Sequence, residues 1–308
     1  MDDIAVLIPC YNEEKTIGKV VRELLEQLPN ATVYVYDNNS SDNTAALAQA
    51  AGAVVRREHK QGKGNVIRRM FREIEASCYL MVDGDDTYPA ECAPAMVEAV
   101  MKRNVDMVIG DRLSSSYFVE NKRRFHNAGN VFVRNSINML FKCEIRDIMT
   151  GFRGFSYLFV KSFPVLSQGF EIETEMSIHA VDKNMLIENI IVDYRDRPEG
   201  SVSKLNTITD GAKVIKTILS LLKNSRPFAF FAAIAVFLAA VGIVMAIPVF
   251  GEFFRSGLVP RIPTLIICVF LWLAATHAFF TGLTLDIIRQ KNMQDFEMRL
   301  HDIEQRKR

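Results

Sequence analysis

Three polar clusters in the first half of the sequence carry side chains that could bind a metal ion and a phosphorylated ligand. The cluster at residues 83–86 reads Asp-Gly-Asp-Asp, and it places the carboxylates of Asp83 and Asp85 on the same short segment, directly after an apolar run. Carboxylate oxygens are the ligands that Mg²⁺ and Mn²⁺ prefer. A cation held there would bridge a diphosphate and neutralise the charge that develops on a leaving group.

Two further clusters follow apolar runs earlier in the chain, at residues 8–14 and 37–44. Taken singly, each cluster has a structural explanation, because Asp42 or Asn43 could cap a helix and acidic turns are common. An Asp-x-Asp tripeptide alone is likewise a weak signal. The interpretation therefore depends on whether the elements that carry the clusters bring them to one crevice.

Strand-like and helix-like segments alternate over the first third of the chain. Short runs rich in β-branched or aromatic residues predict strands over Ile4–Pro9, Thr32–Asp37, Tyr79–Asp83 and Met107–Gly110. Helices are predicted over Ile17–Leu28, Thr44–Ala51, Lys63–Ser77 and Ala93–Arg103. This alternation predicts an α/β fold with a mostly parallel sheet and helices on both faces. In such sheets ligands bind where the strands end, so we expect the three clusters to converge.

The middle of the chain is less regular. Its patterns predict a helix over Phe125–Phe141, a helix over Glu171–Asp182 and a strand over Leu186–Tyr194. Residues 205–226 then show apolar side chains at helical spacing with lysines between them, which indicates an amphipathic helix at a membrane surface or an ordinary packing helix.

Two long runs, Pro227–Phe250 and Ile262–Leu285, contain no Asp, Glu, Lys or Arg. A bilayer core of about 30 Å requires about 20 apolar helical residues, so each run predicts a membrane-spanning helix. The alternative is a pair of buried helices in a soluble protein, but those usually carry a polar stripe. The Lys and Arg residues before the first run and after the second favour a cytoplasmic location for both termini.

Composition narrows the class of protein. The net charge of +1 argues against nucleic acid as the main partner. The 5 cysteines form no Cys-x-x-Cys pair, which supports neither a disulfide framework nor a zinc site and favours a reducing compartment. The start of the chain has no charged and apolar signal sequence, so we expect the first two hundred residues or so to lie in the cytoplasm.

These clusters resemble those of family 2 inverting glycosyltransferases with the nucleotide-sugar-binding GT-A fold. Within that family the chain is similar to dolichyl-phosphate mannosyltransferases and bacterial polyprenyl-phosphate glucosyltransferases, over roughly residues 4–205. The resemblance implies a Mg²⁺ or Mn²⁺ ion at Asp83 and Asp85, with Asp83 also at the ribose. It implies a nucleotide pocket formed by Pro9, Tyr11, Glu13, Asp37, Lys63 and Gly64, with Asp37 at the base.

A second group of residues resembles the acceptor side of that subfamily. Residues 110–112 correspond to a Gly-Ser-Arg step, and residues 196–204 resemble an Arg-x-x-Gly-x-Ser-Lys signature. The resemblance implies that a lipid phosphate is bound by Arg112, Arg124 (or its neighbour Arg123), Arg197, Ser203 and Lys204, and that Asp85, Arg112, Arg197 and Lys204 form the catalytic set. Arginine donates paired hydrogen bonds to phosphate oxygens, and lysine contributes a compact positive charge. The alternative for any one arginine is a surface ion pair.

The chemistry of the reaction also favours a phosphate acceptor. A sugar hydroxyl needs a general base, whereas a phosphomonoester with a second pKa of about 6 is already anionic near pH 7. The nearest candidates for a base late in the domain are Glu173 and Glu175, which could instead orient basic residues.

Three departures from the family pattern stand out. Asn38-Asn39 occupies a position where Asp-Gly is usual, and Thr87 stands where Gln is frequent near the metal. The spacing from Arg197 to the Ser-Lys pair is one residue longer than usual. These changes bear on recognition of the base, on the metal geometry and on the role of Lys204.

The resemblance implies transfer of a hexose from a UDP-sugar, such as UDP-glucose or UDP-N-acetylglucosamine, to a polyprenyl phosphate of the undecaprenyl type. It also implies inversion of the anomeric configuration and a role in cell-envelope glycan assembly or modification. The alternatives are a GDP-mannose donor and a non-catalytic nucleotide-binding membrane scaffold. A processive polysaccharide synthase is excluded, because its Gln-x-x-Arg-Trp motif is absent and the only tryptophan is Trp272.

The predicted organisation is that of an integral membrane protein that forms homo-oligomers through its C-terminal helix. Its segments are a cytoplasmic catalytic domain over 1–204, an amphipathic helix over 205–226, spanning helices over 227–250 and 262–285, an outer loop over 251–261 and a cytoplasmic helix over 286–308.

Overall fold

The computed structural model describes residues 2–114, 134–135, 138–139, 144–169, 171–193, 195, 223 and 226–307. The contacts within it divide the chain into a sheet-containing unit and a unit formed by two long helices.

A seven-stranded mixed sheet forms the centre of the first unit. Its strands are β1 (Asp2–Cys10), β2 (Ala31–Asp37), β3 (Val54–Arg57), β4 (Ala76–Met81), β5 (Met107–Asp111), β6 (Arg153–Ser156) and β7 (Ile187–Ile191). Their spatial order is β3-β2-β1-β4-β6-β5-β7. Every pairing is parallel except those of β6, which runs antiparallel to both β4 and β5. The predicted α/β fold with a mostly parallel sheet is confirmed.

Besides a short 3₁₀-helix (Ala90–Cys92) and the helical residues 134–135 and 138–139, six α-helices accompany the strands over the described part of residues 2–191. They are α1 (Ile17–Gln27), α2 (Thr44–Ala50), α3 (Lys63–Glu73), α4 (Ala93–Arg103), α5 (Tyr157–Ser162) and α6 (Ile172–Asp182). In α1 the buried residues Ile17, Val20, Val21 and Leu24 have the spacing of one helical face. That face packs on the apolar run of β1, whose central residues are fully buried on both faces of the sheet.

Several element boundaries differ from the predictions. Helix α3 ends at Glu73 rather than Ser77, because Ile74 already has extended backbone geometry and β4 begins at Ala76. Strand β4 ends at Met81, so Asp83 lies on the loop after the strand. The strand predicted over Leu186–Tyr194 is confined to Ile187–Ile191.

Two strands and a helix were not predicted at all, namely β3, β6 and α5. Conversely, the helix predicted over Phe125–Phe141 lies almost wholly outside the described residues, and only residues 134–135 and 138–139 are described there, as helical. The amphipathic helix predicted over 205–226 also falls outside, apart from residues 223 and 226.

The second unit contains helix α7 (Pro227–Ser256) and helix α8 (Ile262–Lys307) as far as Met298. Both are long and apolar enough to cross a membrane by length and composition, with mean hydropathies of 2.8 and 2.0. Helix α7 extends past the predicted end at Phe250 and stops at Gly257, whose positive φ of 71° favours glycine. Helix α8 continues without a break through the predicted C-terminal segment.

Small residues let α7 and α8 approach closely. A Cβ atom on Gly242 would lie 2.7 Å from Nε1 of Trp272, and one on Gly282 would lie 3.0 Å from Cβ of Phe231. The rings of Phe228 and Phe279 pack edge to face at 5.7 Å. Close packing at small residues is the usual way in which membrane helices associate.

Candidate functional site

The loops after β1 and β2 are hydrogen-bonded to each other at the carboxyl edge of the sheet. The amide of Asn12 donates to Oγ of Ser40 at 2.9 Å, and the amide of Ser41 donates to Oδ1 of Asn12 at 2.8 Å. The amide of Glu13 donates to Oγ1 of Thr44 at 2.8 Å. These bonds fix the segments that carry Tyr11, Glu13 and Asp37 relative to one another.

The loop after β4 joins the same edge. The hydroxyl of Thr16 donates to the carbonyl of Gly84 at 2.7 Å. A Cβ atom on Gly84 would lie 2.7 Å from Sγ of Cys10, so only glycine lets this loop pass over the end of β1. The structure thus brings the three polar clusters of the sequence together.

Asn38 and Asn39 have structural reasons to stand where Asp-Gly is usual. The side-chain amide of Asn38 donates to the carbonyls of Glu58 and Lys60 at 3.0 and 2.8 Å, and its Oδ1 accepts from the amide of Gly62 at 2.7 Å. Asn39 has a φ of 65°, in the left-handed region that asparagine tolerates better than most residues. Asn38 therefore ties the β2 loop to the start of α3.

Lys63 lies between two carboxylates. Its ammonium nitrogen is 2.5 Å from Oδ1 of Asp83 and 2.6 Å from Oε1 of Glu173. The side chains of Lys63 and Glu173 are only 8% and 6% exposed, whereas that of Asp83 is 28% exposed. Burial would lower the pKa of Lys63, but the two carboxylates raise it well above its ordinary value, so the lysine keeps its charge. Burial raises the pKa of Glu173, and Asp83 adds to this effect while Lys63 opposes it.

The glycines on either side of Lys63 allow a second loop to pack on this segment. Cβ atoms on Gly62 and Gly64 would lie 2.2 Å from the carbonyl oxygen of Gln168 and 2.3 Å from that of Ser167. Glu175 holds the same loop, because its carboxylate accepts from the amides of Leu166 and Ser167 at 3.0 and 2.8 Å. The two glutamates considered as bases, Glu173 and Glu175, are thus engaged with Lys63 and with backbone amides.

Asp85 is buried and its carboxylate is oriented by Thr87. Oδ1 of Asp85 accepts from the hydroxyl of Thr87 at 2.6 Å and from its amide at 3.3 Å. Thr87 thus supplies a hydroxyl donor where the family often has Gln.

The donor atoms of Asp83 and Asp85 fit a hard divalent cation, since both carboxylates project from one loop. No group of three or more His, Cys, Asp or Glu side chains that could hold a metal ion occurs among the described residues. A cation here would take its remaining ligands from a diphosphate and water, which is common for Mg²⁺.

Arg112, which sequence analysis assigned to the acceptor phosphate, forms a two-pronged ion pair with Asp147. Its Nε and Nη2 atoms lie 2.7 and 3.2 Å from the two oxygens of that carboxylate. Arg112 is 9% exposed and Asp147 is fully buried. Arg112 would therefore bind a phosphate only with donor atoms other than those that hold Asp147.

Arg153 on β6 is a buried cation beside the site that sequence analysis missed. It is fully buried, and its guanidinium donates to the carbonyls of Ile148 and Thr150 at 2.6 and 3.0 Å and to the hydroxyl of Ser177 at 2.9 Å. Burial lowers its pKa to about 10, and the Glu173 carboxylate opposes that shift. The sequence signal for a buried arginine was its position between Phe152 and Gly154. A charge in so apolar a stretch needs buried partners.

The sequence of the sheet-containing unit matches a known family. Residues 5–162 match the family described as glycosyl transferase family 2. The chain is also 31% identical to the glycosyltransferase AglJ of Haloferax volcanii over 252 residues, which cover 82% of each chain. This chain belongs to glycosyltransferase family 2. The resemblance inferred from the strand-end clusters is confirmed.

Two further relatives of this family 2 glycosyltransferase are named after a lipid phosphate. It is 26% identical to the dolichyl-phosphate hexose transferase of Haloferax volcanii, over 73% of this chain and 96% of the relative. It is 24% identical to the undecaprenyl-phosphate mannosyltransferase of Micrococcus luteus, over 69% of this chain and 91% of the relative.

A solved structure confirms the fold of this family 2 glycosyltransferase. The glucosyl-3-phosphoglycerate synthase of Mycobacterium tuberculosis, solved with Mn²⁺, UDP-glucose and phosphoglyceric acid, superposes with a TM-score of 0.56. The two are 20% identical, and the match covers 71% of this chain and 79% of that one.

Most of the predicted acceptor side of this glycosyltransferase lies outside the described residues. Arg124, with its neighbour Arg123, and Arg197, Ser203 and Lys204 all fall there. The predicted phosphate-binding role of these residues stays a prediction. The described Arg195 precedes the signature segment, and its amide donates to the carbonyl of Thr87 at 3.0 Å. That bond connects Arg195 to the loop that carries Asp85.

Proposed function

We propose that this family 2 glycosyltransferase transfers a hexose from a UDP-sugar, such as UDP-glucose or UDP-N-acetylglucosamine, to a polyprenyl phosphate of the undecaprenyl type. The transfer would invert the anomeric configuration and would serve cell-envelope glycan assembly or modification. The observation that carries the proposal is the meeting of the three polar loops at one sheet edge, where Asp83 and Asp85 stand beside the loops of Tyr11 and Asp37. This edge suits a nucleotide-sugar, because ligands of such sheets bind outside the carboxyl ends of the strands, and an acidic pair can hold a cation against a diphosphate.

The donor would lie across the ends of β1, β2 and β4. Pro9, Tyr11, Glu13 and Asp37 would surround the nucleoside, with Lys63 and Gly64 continuing the pocket. A Mg²⁺ or Mn²⁺ ion at Asp83 and Asp85 would neutralise charge on the diphosphate as it leaves. Lys63 and Thr87 hold the two carboxylates in place for that ligand.

Glu173 and Glu175 already have hydrogen-bond or ion-pair partners, which supports a phosphate acceptor. A hydroxyl nucleophile would need one of these carboxylates as a base, but one pairs with Lys63 and the other holds backbone amides. A lipid phosphate is already anionic near neutral pH, with a second pKa of about 6. Its oxygen would form the new bond to the anomeric carbon while the bond from that carbon to the nucleoside diphosphate breaks, and the diphosphate would keep the electron pair.

The two apolar helices and the names of the relatives support a lipid acceptor. We propose that α7 and α8 anchor the protein in the plasma membrane, with the catalytic domain in the cytoplasm, and that the C-terminal part of α8 supports self-association. Arg112, Arg124, Arg197, Ser203 and Lys204 would bind the phosphate of the lipid.

A GDP-mannose donor is the second candidate. It is favoured by the relative that is named an undecaprenyl-phosphate mannosyltransferase. The two candidates differ in both the base and the sugar, so a direct comparison of donors separates them.

The test is an assay of the full-length protein in detergent with undecaprenyl phosphate and radiolabelled UDP-glucose, UDP-N-acetylglucosamine or GDP-mannose. We expect a labelled lipid product with one UDP-sugar, dependent on Mg²⁺ or Mn²⁺, abolished by a chelator and opposite in anomeric configuration to the donor. Transfer from GDP-mannose alone would establish the second candidate. Nucleotide binding without lipid-dependent release of nucleotide from any donor would contradict the proposal and support a scaffold.

A further inference from the structure

The hydroxyl of Tyr88 lies where the donor loop meets the acceptor side of the site. Tyr88 follows the segment that contains Asp83 and Asp85, and it is 5% exposed. Its oxygen accepts from the amide of Gly151 at 2.9 Å and from the hydroxyl of Thr150 at 3.3 Å. One hydroxyl therefore ties the donor loop to residues 147–152, which we call the 147–152 segment.

The 147–152 segment contacts both halves of the site. A Cβ atom on Gly151 would lie 2.1 Å from Oδ2 of Asp83, so the backbone of Gly151 rests against that carboxylate. At the other end of the segment, Asp147 pairs with Arg112 at 2.7 Å. A shift of this segment would therefore move Asp83 and Arg112 relative to each other.

Tyr88 also contacts the acceptor side directly. The guanidinium carbon of Arg112 lies 5.8 Å from the centre of the Tyr88 ring, within the range of a cation–π contact. The ring packs on Phe152 with centroids 5.4 Å apart. The ring would fill this space equally well as phenylalanine, so the hydroxyl has a separate role.

We propose that Tyr88 is a positioning residue that aligns the acceptor phosphate with the donor diphosphate by holding the 147–152 segment between Asp83 and Arg112. The proposal rests on the proposed function, because it assigns Arg112 to the acceptor and Asp83 to the donor. Asp83 has a second restraint in Lys63, so loss of the Tyr88 hydroxyl affects the acceptor-dependent step more than donor binding.

The test compares Tyr88→Phe with Tyr79→Phe in the full-length protein. Tyr79 is a matched control, since its buried hydroxyl also accepts from a backbone amide, that of Ala76 at 2.9 Å, at the opposite end of β4. In Tyr88→Phe we expect kcat with polyprenyl phosphate to fall by up to about tenfold, the effect of one lost hydrogen bond. The dissociation constant for UDP with Mn²⁺ stays within about twofold of wild type. Tyr79→Phe changes thermal stability without this kinetic loss.

Hydrogen–deuterium exchange provides a second readout that needs no lipid substrate. We expect faster exchange in the peptide that covers residues 147–152 of Tyr88→Phe, and unchanged exchange in the loop after β2. Unchanged exchange at residues 147–152, an unchanged kcat, or an equal kinetic loss in Tyr79→Phe would overturn the role of Tyr88. Absence of lipid-dependent transfer in the wild type would instead remove the proposed function, and the exchange data would still decide whether the hydroxyl holds the segment.

Discussion

The side chain of Lys63 is only 8% exposed and has two carboxylate partners, Asp83 and Glu173. A buried ion pair contributes little net stability, but removal of one partner leaves an uncompensated charge in the interior. In this site the uncompensated group would be Glu173, which lies on α6 and is 6% exposed. The pair therefore links α3, α6 and the loop after β4 through charge.

The first prediction concerns this pair. Lys63→Met should lower the free energy of unfolding by about 3–5 kcal/mol, because Glu173 is left buried without its ammonium partner. The double variant Lys63→Met with Glu173→Gln should recover part of the loss. Chemical unfolding in detergent measures both variants.

Lys102→Met is the matched control, since Lys102 pairs with Glu98 on an exposed face where the two side chains are 75% and 55% exposed. It should change stability by less than about 0.5 kcal/mol. A Lys63 variant no less stable than the Lys102 variant would show that the buried pair has no such role.

The second prediction concerns the acidic loop. Asp85→Ala should abolish Mg²⁺- or Mn²⁺-dependent turnover and leave the protein folded, because Asp85 is one of the two carboxylates to which we assign the cation. Sugar transfer at saturating metal and the thermal unfolding temperature measure the two effects. Asp3→Ala, at an exposed position on β1, serves as the control. Turnover at the wild-type level in Asp85→Ala would remove the metal role of this residue.

Among the helices, α6 carries both Glu173, the partner of Lys63, and a buried histidine. The ring of His179 packs against those of Phe159 and Phe163 at 5.6 and 5.0 Å. Burial lowers the pKa of His179 from 6.5 to about 4, with Lys183 adding to the shift and Asp182 opposing it. The folded protein therefore keeps this histidine neutral in a pH range where the unfolded chain binds a proton.

The third prediction follows from this difference. The unfolded state binds more protons between pH 6.5 and about 4, so the stability that is present above pH 6.5 should fall as the pH drops through this window. His179→Phe keeps an aromatic ring in the site and should flatten the dependence of the unfolding temperature on pH. His301→Phe, an exposed change, should leave the dependence as in the wild type. Equal slopes in wild type and His179→Phe would exclude His179 as the cause.

Sequence patterns predicted the buried parallel strands because each is an unbroken apolar run, as in Ala5–Ile8 of β1. They missed β3 because it is a half-buried edge strand that contains Arg56 and Arg57. They missed β6 because Gly154 interrupts it, where a Cβ atom would make a tight contact of 3.3 Å with a methyl group of Val100.

The same contrast holds in the site. The convergence of Asp37 with Asp83 was predictable, because the carboxyl ends of parallel strands share one edge of a sheet. The pairing of Lys63 with Glu173 and the partnership of Arg112 with Asp147 were not predictable. Each joins residues far apart in the chain, and no spacing rule relates them.

At the scale of the whole molecule, the chain combines a mostly parallel sheet of glycosyltransferase family 2 with a pair of apolar helices. In this helix pair, Gly242 lies against Trp272, and this contact sets how closely α7 and α8 approach. The indole of Trp272 belongs to the only tryptophan of the chain, so its fluorescence reports on the helix pair alone.

The fourth prediction uses that property. Gly242→Leu should shift the emission of Trp272, because the new side chain would occupy the space of the indole, 2.7 Å from its nitrogen. Gly251→Leu on the same helix meets no atom within 4 Å and should leave the spectrum unchanged. An identical spectrum for Gly242→Leu would contradict the helix packing described above.

The antiparallel strand β6 has a consequence for synthesis of the protein. β4 and β5 do not pair with each other, and β6 lies between them although it comes later in the chain. Before the ribosome has translated the codons for β6, the nascent polypeptide therefore contains strands β1 to β4 and the separate strand β5. The strand that pairs with both β4 and β5 has not yet been synthesised. The arrival of β6 joins the two parts, so protease resistance of ribosome-bound intermediates should rise in one step when residue 156 leaves the exit tunnel.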